Sequence, residues 1–444
     1  MEHHKQSSDL FVSCPRQQFF EPCSPAQQLY ETLRWLWTGR DDCSAPGSII
    51  HLNGQAKPLM EHFRHQGMTG LLGFKKSFLA KRMTCEGSGH SSANPTKGST
   101  PALLYGKNRV PLFRCILCNE RYSARRATAL WGTRLCEEDY LRVAKSLAEG
   151  MGIRTTSRIL DLDKDTVQRC AVSAGKHCRL VESVLMHHLH LEECQLDEMW
   201  SFVYKKQGHL SPFEQLMEEI GDIWLHVAFE PRQKLFLAVV PAKRTLESIR
   251  KVTRSVRLRS DGHMPLFTGD EYAGNLDALL WEYGQLARED RQGLVGRPPQ
   301  SAYLIPTSGI NFAVVNKVRE NGKVTSVKSE IVLGSKQKIQ KVLGESTCSR
   351  NINISFVERS NLHQRLNNRR LTRKTLGFSK KLAMHEAQIW LCRGYYHYVR
   401  PHSSLRIRSD DGTRWIQRTP AMAAGVTNHI WTMKELLTFP HCYN

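Results

Sequence analysis

Two hydrophobic periodicities divide the chain. From Glu137 to Gly150 the apolar residues Leu141, Ala144, Leu147 and Ala148 recur at helical spacing, and the run stops at a glycine. Ile153–Leu160 predicts a second, shorter helix. Asp161-Leu162-Asp163 reads as a turn, with Asp163 the N-cap of a third helix from Lys164 to about Cys178. That helix turns Val167, Cys170, Ala171 and Ala174 inward and leaves Lys164, Thr166, Gln168 and Arg169 outward near its N-terminal end. Between 194 and 305 short apolar runs take over. LEECQLDEMWSFVYK, DIWLHVAFE, KLFLAVVPA and MPLFTGD predict strands, and TLESIRKVTRSVRL and NLDALLWEYGQLA predict helices. Three strands, a helix, a strand and a helix predict a mixed α/β sheet. From 355 to 400 the pattern is helical again, with Phe356–Arg370 as one helix. Upstream, Pro25–Trp37 predicts one amphipathic helix, and GSGHSSANPTKGST has loop composition.

Composition adds a partner. The 444 residues suffice for about two to four domains. Lys and Arg number 63 against 42 Asp and Glu, a formal charge of +21. A surplus of that size points to a polyanion, nucleic acid first, with a surface charged for solubility as the alternative. No apolar run approaches the ~18 residues of a membrane helix. The opening MEHHKQSSDLFVSCPRQ has no apolar signal core, so neither export nor membrane insertion is expected. Thirteen cysteines, odd in number and scattered, argue against a disulfide framework. Cys170 and Cys392, in helical patterns, are expected as core thiols.

Three constellations carry chemistry. Cys115 and Cys118 have the C-x2-C spacing of a metal knuckle, and Cys85 and His90 lie upstream. Two such pairs match a tetrahedral structural Zn²⁺ site, and two reduced cysteines on a hairpin are the plain alternative. The helices at 137–178 match a helix-turn-helix, which presents the N-terminal end of its last helix to base edges in the major groove; a generic three-helix packing unit is the alternative. Asp197 on a strand, Asp270 at a strand end and Glu358 on a helix form a set of three carboxylates. Phosphoryl transfer on DNA uses such hard oxygen donors to hold two Mg²⁺ (or Mn²⁺) ions about 4 Å apart. Glu198, Asp222, Glu271 and Asp277 compete for these roles, and Asp222 also reads as a cap at the start of its strand. From Ser355 to Arg406 there are eleven Lys and Arg but only two acids, Glu358 and Glu386. Arg365 follows Glu358 by two helical turns on the same face, placed to grip a phosphate. Arg359, Arg369, Arg370, Arg373 and Lys374 are expected against DNA in the same run.

These stretches together resemble a known family. CILCNERYSARRATALWGTRL, LAEGMGIRTTSRILDLDKDTVQR, LEECQLDEMWSFV, PLFTGDE, NISFVERSNLHQRLNNRRLTRKTLGFSKKLAMHEAQ, YYHYVRPHSSLR and RTPAMAAGVTNHIW resemble DDE transposases of the insertion-sequence-one family, over roughly residues 80–435. The resemblance implies an RNase H-like catalytic domain at 193–408, preceded by a zinc-binding unit at 81–133 and a helix-turn-helix at 134–192. Residues 1–80 have no assigned role, and 409–444 are expected as a C-terminal tail. It implies Asp197, Asp270 and Glu358 as metal ligands, Arg365 as the basic residue that follows, and double-stranded DNA with terminal inverted repeats as the substrate. A homo-oligomer on DNA and a cytoplasmic, nucleoid-associated location follow from the same reading. The chain departs from the family pattern at His90, where a second cysteine is usual, and at Glu271, where a small residue is expected. The rival expectations are a catalytically silent DNA-binding regulator and an RNase H-like nuclease.

Overall fold

The computed structural model describes residues 101–106, 108, 110–114, 121–287, 303–321 and 323–439. The four expected zinc ligands Cys85, His90, Cys115 and Cys118, and the helix expected at Pro25–Trp37, lie outside them. The described chain opens on a small antiparallel sheet, β1 (Pro101–Tyr105), β2 (Val110–Arg114) and β3 (Arg121–Ser123).

Three helices follow where the periodicity places them: α1 (Glu137–Ala148), α2 (Ile153–Ile159) and α3 (Lys164–Leu185). Asp163 caps α3 through a carboxylate that accepts from the N–H groups of Asp165 and Thr166. The helix runs seven residues beyond the expected end at Cys178, because Val181 and its neighbours continue the apolar face into the body of the protein.

The centre is a six-stranded mixed sheet in the order β11-β10-β7-β4-β5-β6. Its strands are β4 (Glu193–Val203), β5 (Gly221–Glu230), β6 (Leu235–Ala242), β7 (Leu266–Gly269), β10 (Asn311–Glu320) and β11 (Lys323–Leu333); β8 (Gln285–Ala287) and β9 (Tyr303–Ile305) form a separate ribbon. β4, β5 and β6 form an antiparallel meander, whereas β4, β7 and β10 are mutually parallel. Parallel neighbours need crossovers, and α4 (Leu246–Arg259) and α5 (Ala273–Tyr283) lie in the two connections. The chain then adds α6 (Lys336–Glu345), α7 (Ser355–Asn367), α8 (Leu382–Gly394) and, near its end, α9 (Met433–Thr438).

Each face of the sheet has its own apolar layer. On one face Met199, Leu225, Val227 and Val315 pack under Ile354 and Val357 of the α7 segment. The other carries Leu196, Leu237 and Phe267 against Val252 and Val256 of α4, and this layer is continuous with Tyr140, Val143 and Val167 of the three-helix unit. The weld between α3 and α8 is close: a Cβ added at Gly175 would lie 2.1 Å from the Ala387 carbonyl oxygen. Beside it, buried Glu182 pairs with Arg393 at 2.8 Å and with His397 at 3.2 Å, joining α3, α8 and the π-helical turn Tyr395–Val399.

Residues expected as a C-terminal tail are part of this core as far as Phe439. Trp431, Met433, Leu436 and Leu437 are buried in it, and the Leu437 carbonyl accepts from Ala129 N–H at 2.9 Å. Apolar side chains at that spacing have no reason to stay in water. Cys170 and Cys392 are free thiols, and burial pushes them up to about 11 and about 12. No helix among the described residues is long and apolar enough to cross a membrane.

Candidate active site

Register brings the two aspartates together. β4 and β7 run in parallel with Gln195 beside Thr268, so the next same-face positions, two residues on, are Asp197 and Asp270. β7 ends at Gly269, leaving Asp270 just beyond the last ladder bond. Its carboxylate accepts from Tyr272 N–H at 3.3 Å and from Asn275 Nδ2 at 3.2 Å.

Helix α7 is tied over this face at its start. Gln195 Oε1 accepts from Val357 N–H at 2.9 Å, and Gln195 Nε2 and Thr268 Oγ1 both donate to the Asn353 carbonyl. Glu358 is the next residue of the helix. One turn further, Asn361 Nδ2 donates to Asp197 Oδ2 at 2.8 Å. The three expected acids thus share one neighbourhood on one face.

The electrostatics record that gathering. Burial pushes the Asp197 carboxyl up to about 7, and the charges of Asp270 and Glu358 push the same way. Burial also raises Asp270, with Glu198 adding to the rise and Tyr272 N–H opposing it. Glu358 carries a cation of this chain: Lys317 Nζ, from β10, donates to Glu358 Oε2. Among the described residues no three His, Cys, Asp or Glu side chains are gathered closely enough to cage a metal ion. The donor chemistry still fits a hard divalent cation. Asp197, Asp270 and Glu358 supply oxygen donors near enough for the charges of the last two to act on the first, and Asn361 Oδ1 is buried without a hydrogen-bond partner beside Asp197.

The competing acids sort themselves by contact. Glu198 points to the opposite face, where it lies 3.3 Å from His226 and bonds Arg244 at 2.5 Å. Those partners hold its carboxyl below the usual range although burial alone raises it. Asp222 accepts from Gln207 N–H at the start of β5, as a cap does. Glu271 is exposed and accepts from Asn316 Nδ2 at 2.6 Å. Asp277 faces outward on α5.

Arg365 lies on the sheet side of α7, but its guanidinium is committed. It donates to the main-chain carbonyls of Trp200 at 3.0 Å and Leu371 at 3.1 Å. These bonds fold the chain back after Asn367, so the helix stops three residues before the expected Arg370. Arg370 is half-buried and donates to Ser379 Oγ at 3.3 Å. Arg359, Arg369, Arg373 and Lys374 are exposed. On α3, Lys164 and Arg169 are exposed and Thr166 and Gln168 half-exposed, with Arg169 donating to Thr166 Oγ1 at 2.9 Å.

Asn361, Asn275 and Lys317 were not singled out from the sequence. Asn361 had a signal, three residues after Glu358 on the same helix face. Lys317 had none, since only folding brings it near Glu358. Compared with known protein families the sequence matches none, and no curated protein matches it.

Proposed function

We propose that the chain is a DDE transposase with an RNase H-like catalytic domain, which binds terminal inverted repeats and catalyses DNA cleavage and strand transfer. The observation that carries the reading is Asp197: a carboxyl raised to about 7 on a central strand, beside Asp270 on the parallel neighbour and under the helix that bears Glu358. The sheet order, three antiparallel strands continued by parallel ones with crossover helices, supports the RNase H-like part. Helices α1–α3, with a capped and basic start to α3, support a helix-turn-helix.

In this reading Asp197, Asp270 and Glu358 hold the divalent ions. When bound, such ions activate the attacking oxygen and stabilise the leaving one. Asn275 and Tyr272 N–H orient Asp270, Asn361 orients Asp197, and Gln195 fixes α7 in register over both. Arg365 acts through the backbone it braces. Exposed Arg359, Arg369, Arg373 and Lys374 take phosphates, and Lys164, Thr166, Gln168 and Arg169 approach base edges. Joining two ends requires at least two copies on DNA. The zinc unit at Cys85, His90, Cys115 and Cys118 belongs to the same proposal.

A second reading, a catalytically silent DNA-binding regulator, has one observation on its side: Glu358 is paired to Lys317. A strand-transfer assay separates the two, using end fragments cut from the DNA flanking the coding region, with Mg²⁺. Wild type joins ends and Asp270→Ala does not. Equal joining by both rejects the assignment, and joining by neither favours the regulator.

A further inference from the structure

Lys317 occupies an unusual place. β10 pairs with β7 only over Asn311–Val314, yet it continues against β11 as far as Glu320. The hairpin therefore overhangs the end of β7, where Asp270 sits. Val315 points to the α7 face and packs with Ile354 and Val357. Lys317 is the next residue on that face, and its ammonium meets Glu358. Asn316, between them, points the other way, to Glu271. Both partners of the pair are reachable from solvent, with side-chain exposures of 23% for Lys317 and 39% for Glu358.

We infer that Lys317 is a positioning residue that parks Glu358 and competes with divalent cations for it. The inference rests on the reading of Asp197, Asp270 and Glu358 as metal ligands. A carboxylate that already has an ammonium partner takes a second cation only by giving up the first. Lys317 thus keeps the third acid away from a closed cage until an ion displaces it. The freed ammonium, on a hairpin that overhangs the site, is then available to a DNA phosphate. An ammonium is a compact point charge on a flexible stem, suited to such an exchange.

The test is Mn²⁺ binding to the full-length protein, read from free Mn²⁺ by electron paramagnetic resonance. Lys317→Met is expected to bind about tenfold tighter than wild type, because the competitor is gone, and Lys317→Arg to stay within about twofold. Asp197→Asn is expected to weaken binding in either background. Lys317→Met with unchanged or weaker affinity, alongside a loss in Asp197→Asn, overturns the role of Lys317 and leaves the acid site standing. Unchanged affinity in Asp197→Asn overturns the acid site itself. Wild type supplies a second measurement that does not depend on a variant folding. Acetylation of Lys317, followed by mass spectrometry, is expected to speed up when Mn²⁺ is added; an unaltered rate contradicts the inference.

Discussion

Asp197→Asn is expected to stabilise the metal-free protein at alkaline pH. The side chain keeps its shape and still accepts from Asn361, but it carries no charge. In the unfolded chain Asp197 titrates near 3.8, and in the folded protein burial, Asp270 and Glu358 hold it at about 7. Below pH 4 both states are protonated and the carboxyl costs nothing. Between 4 and 7 the unfolded chain releases its proton while the folded one retains it, so wild-type stability falls as pH rises. Above 7 the full cost is present. A rise from 3.8 to about 7 corresponds to about 4 kcal/mol at most. Water entry at the rim leaves roughly half of that measurable. Urea unfolding in EDTA at pH 4 and pH 8.5 reads the difference. The variant is expected to match wild type at pH 4 and to exceed it by about 2 kcal/mol at pH 8.5. Saturating Mg²⁺ is expected to narrow or reverse the gap, because it stabilises only the protein with the carboxylate. A variant equal to or weaker than wild type at pH 8.5 in EDTA refutes the burial of Asp197 beside Asp270 and Glu358.

Other outcomes follow from single contacts. Gly175→Ala forces a Cβ to 2.1 Å from the Ala387 carbonyl oxygen. Overpacking of about 1–3 kcal/mol or more outweighs the gain of about 1 kcal/mol in helix propensity, and the melting temperature falls. Arg365→Lys loses the two-pronged grip on the Trp200 and Leu371 carbonyls and is expected to cost about 1–3 kcal/mol in urea unfolding; full stability with lysine would deny that role. Asp163→Ala removes the cap of α3 at about 1 kcal/mol and frays the end bearing Lys164 and Thr166; end-DNA affinity in a gel-shift assay falls while Mn²⁺ binding holds.

Much of the fold was legible because its periodicities are local. The Asp163 cap, the boundary of α2 and the strands at 193–203, 221–230 and 235–242 all carry their signals within a few residues. The hairpin of β10 and β11 was missed, because the strand reading stopped at 305 although the turn carries a local signal. Asn321-Gly322 stands between Val318 and Val324, and Asn321 adopts φ 50°, as a tight hairpin turn requires. The end of α7 was not legible. It depends on Arg365 reaching carbonyls on two other segments, which no helical periodicity encodes. Gly377-Phe378-Ser379-Lys380, within one of the stretches that carry the family resemblance, makes structural bonds: Ser379 accepts from Tyr204 N–H through its carbonyl and bonds His385 through its hydroxyl. The same limit separates Asp197 and Asp270 from Lys317. The acids announce themselves by type and order along the chain. Lys317 matters only because β10 outruns β7.

Iron-directed cleavage of the protein backbone tests the acid site most directly. Fe²⁺ replaces Mg²⁺ among carboxylates, and with ascorbate and peroxide it generates hydroxyl radicals that cut nearby chain. Fragments ending near residues 197, 270 and 358 are expected, suppressed by excess Mg²⁺ and absent from Asp197→Asn. Cuts elsewhere, or cuts at these places that ignore both Mg²⁺ and the substitution, contradict a shared metal site of Asp197, Asp270 and Glu358.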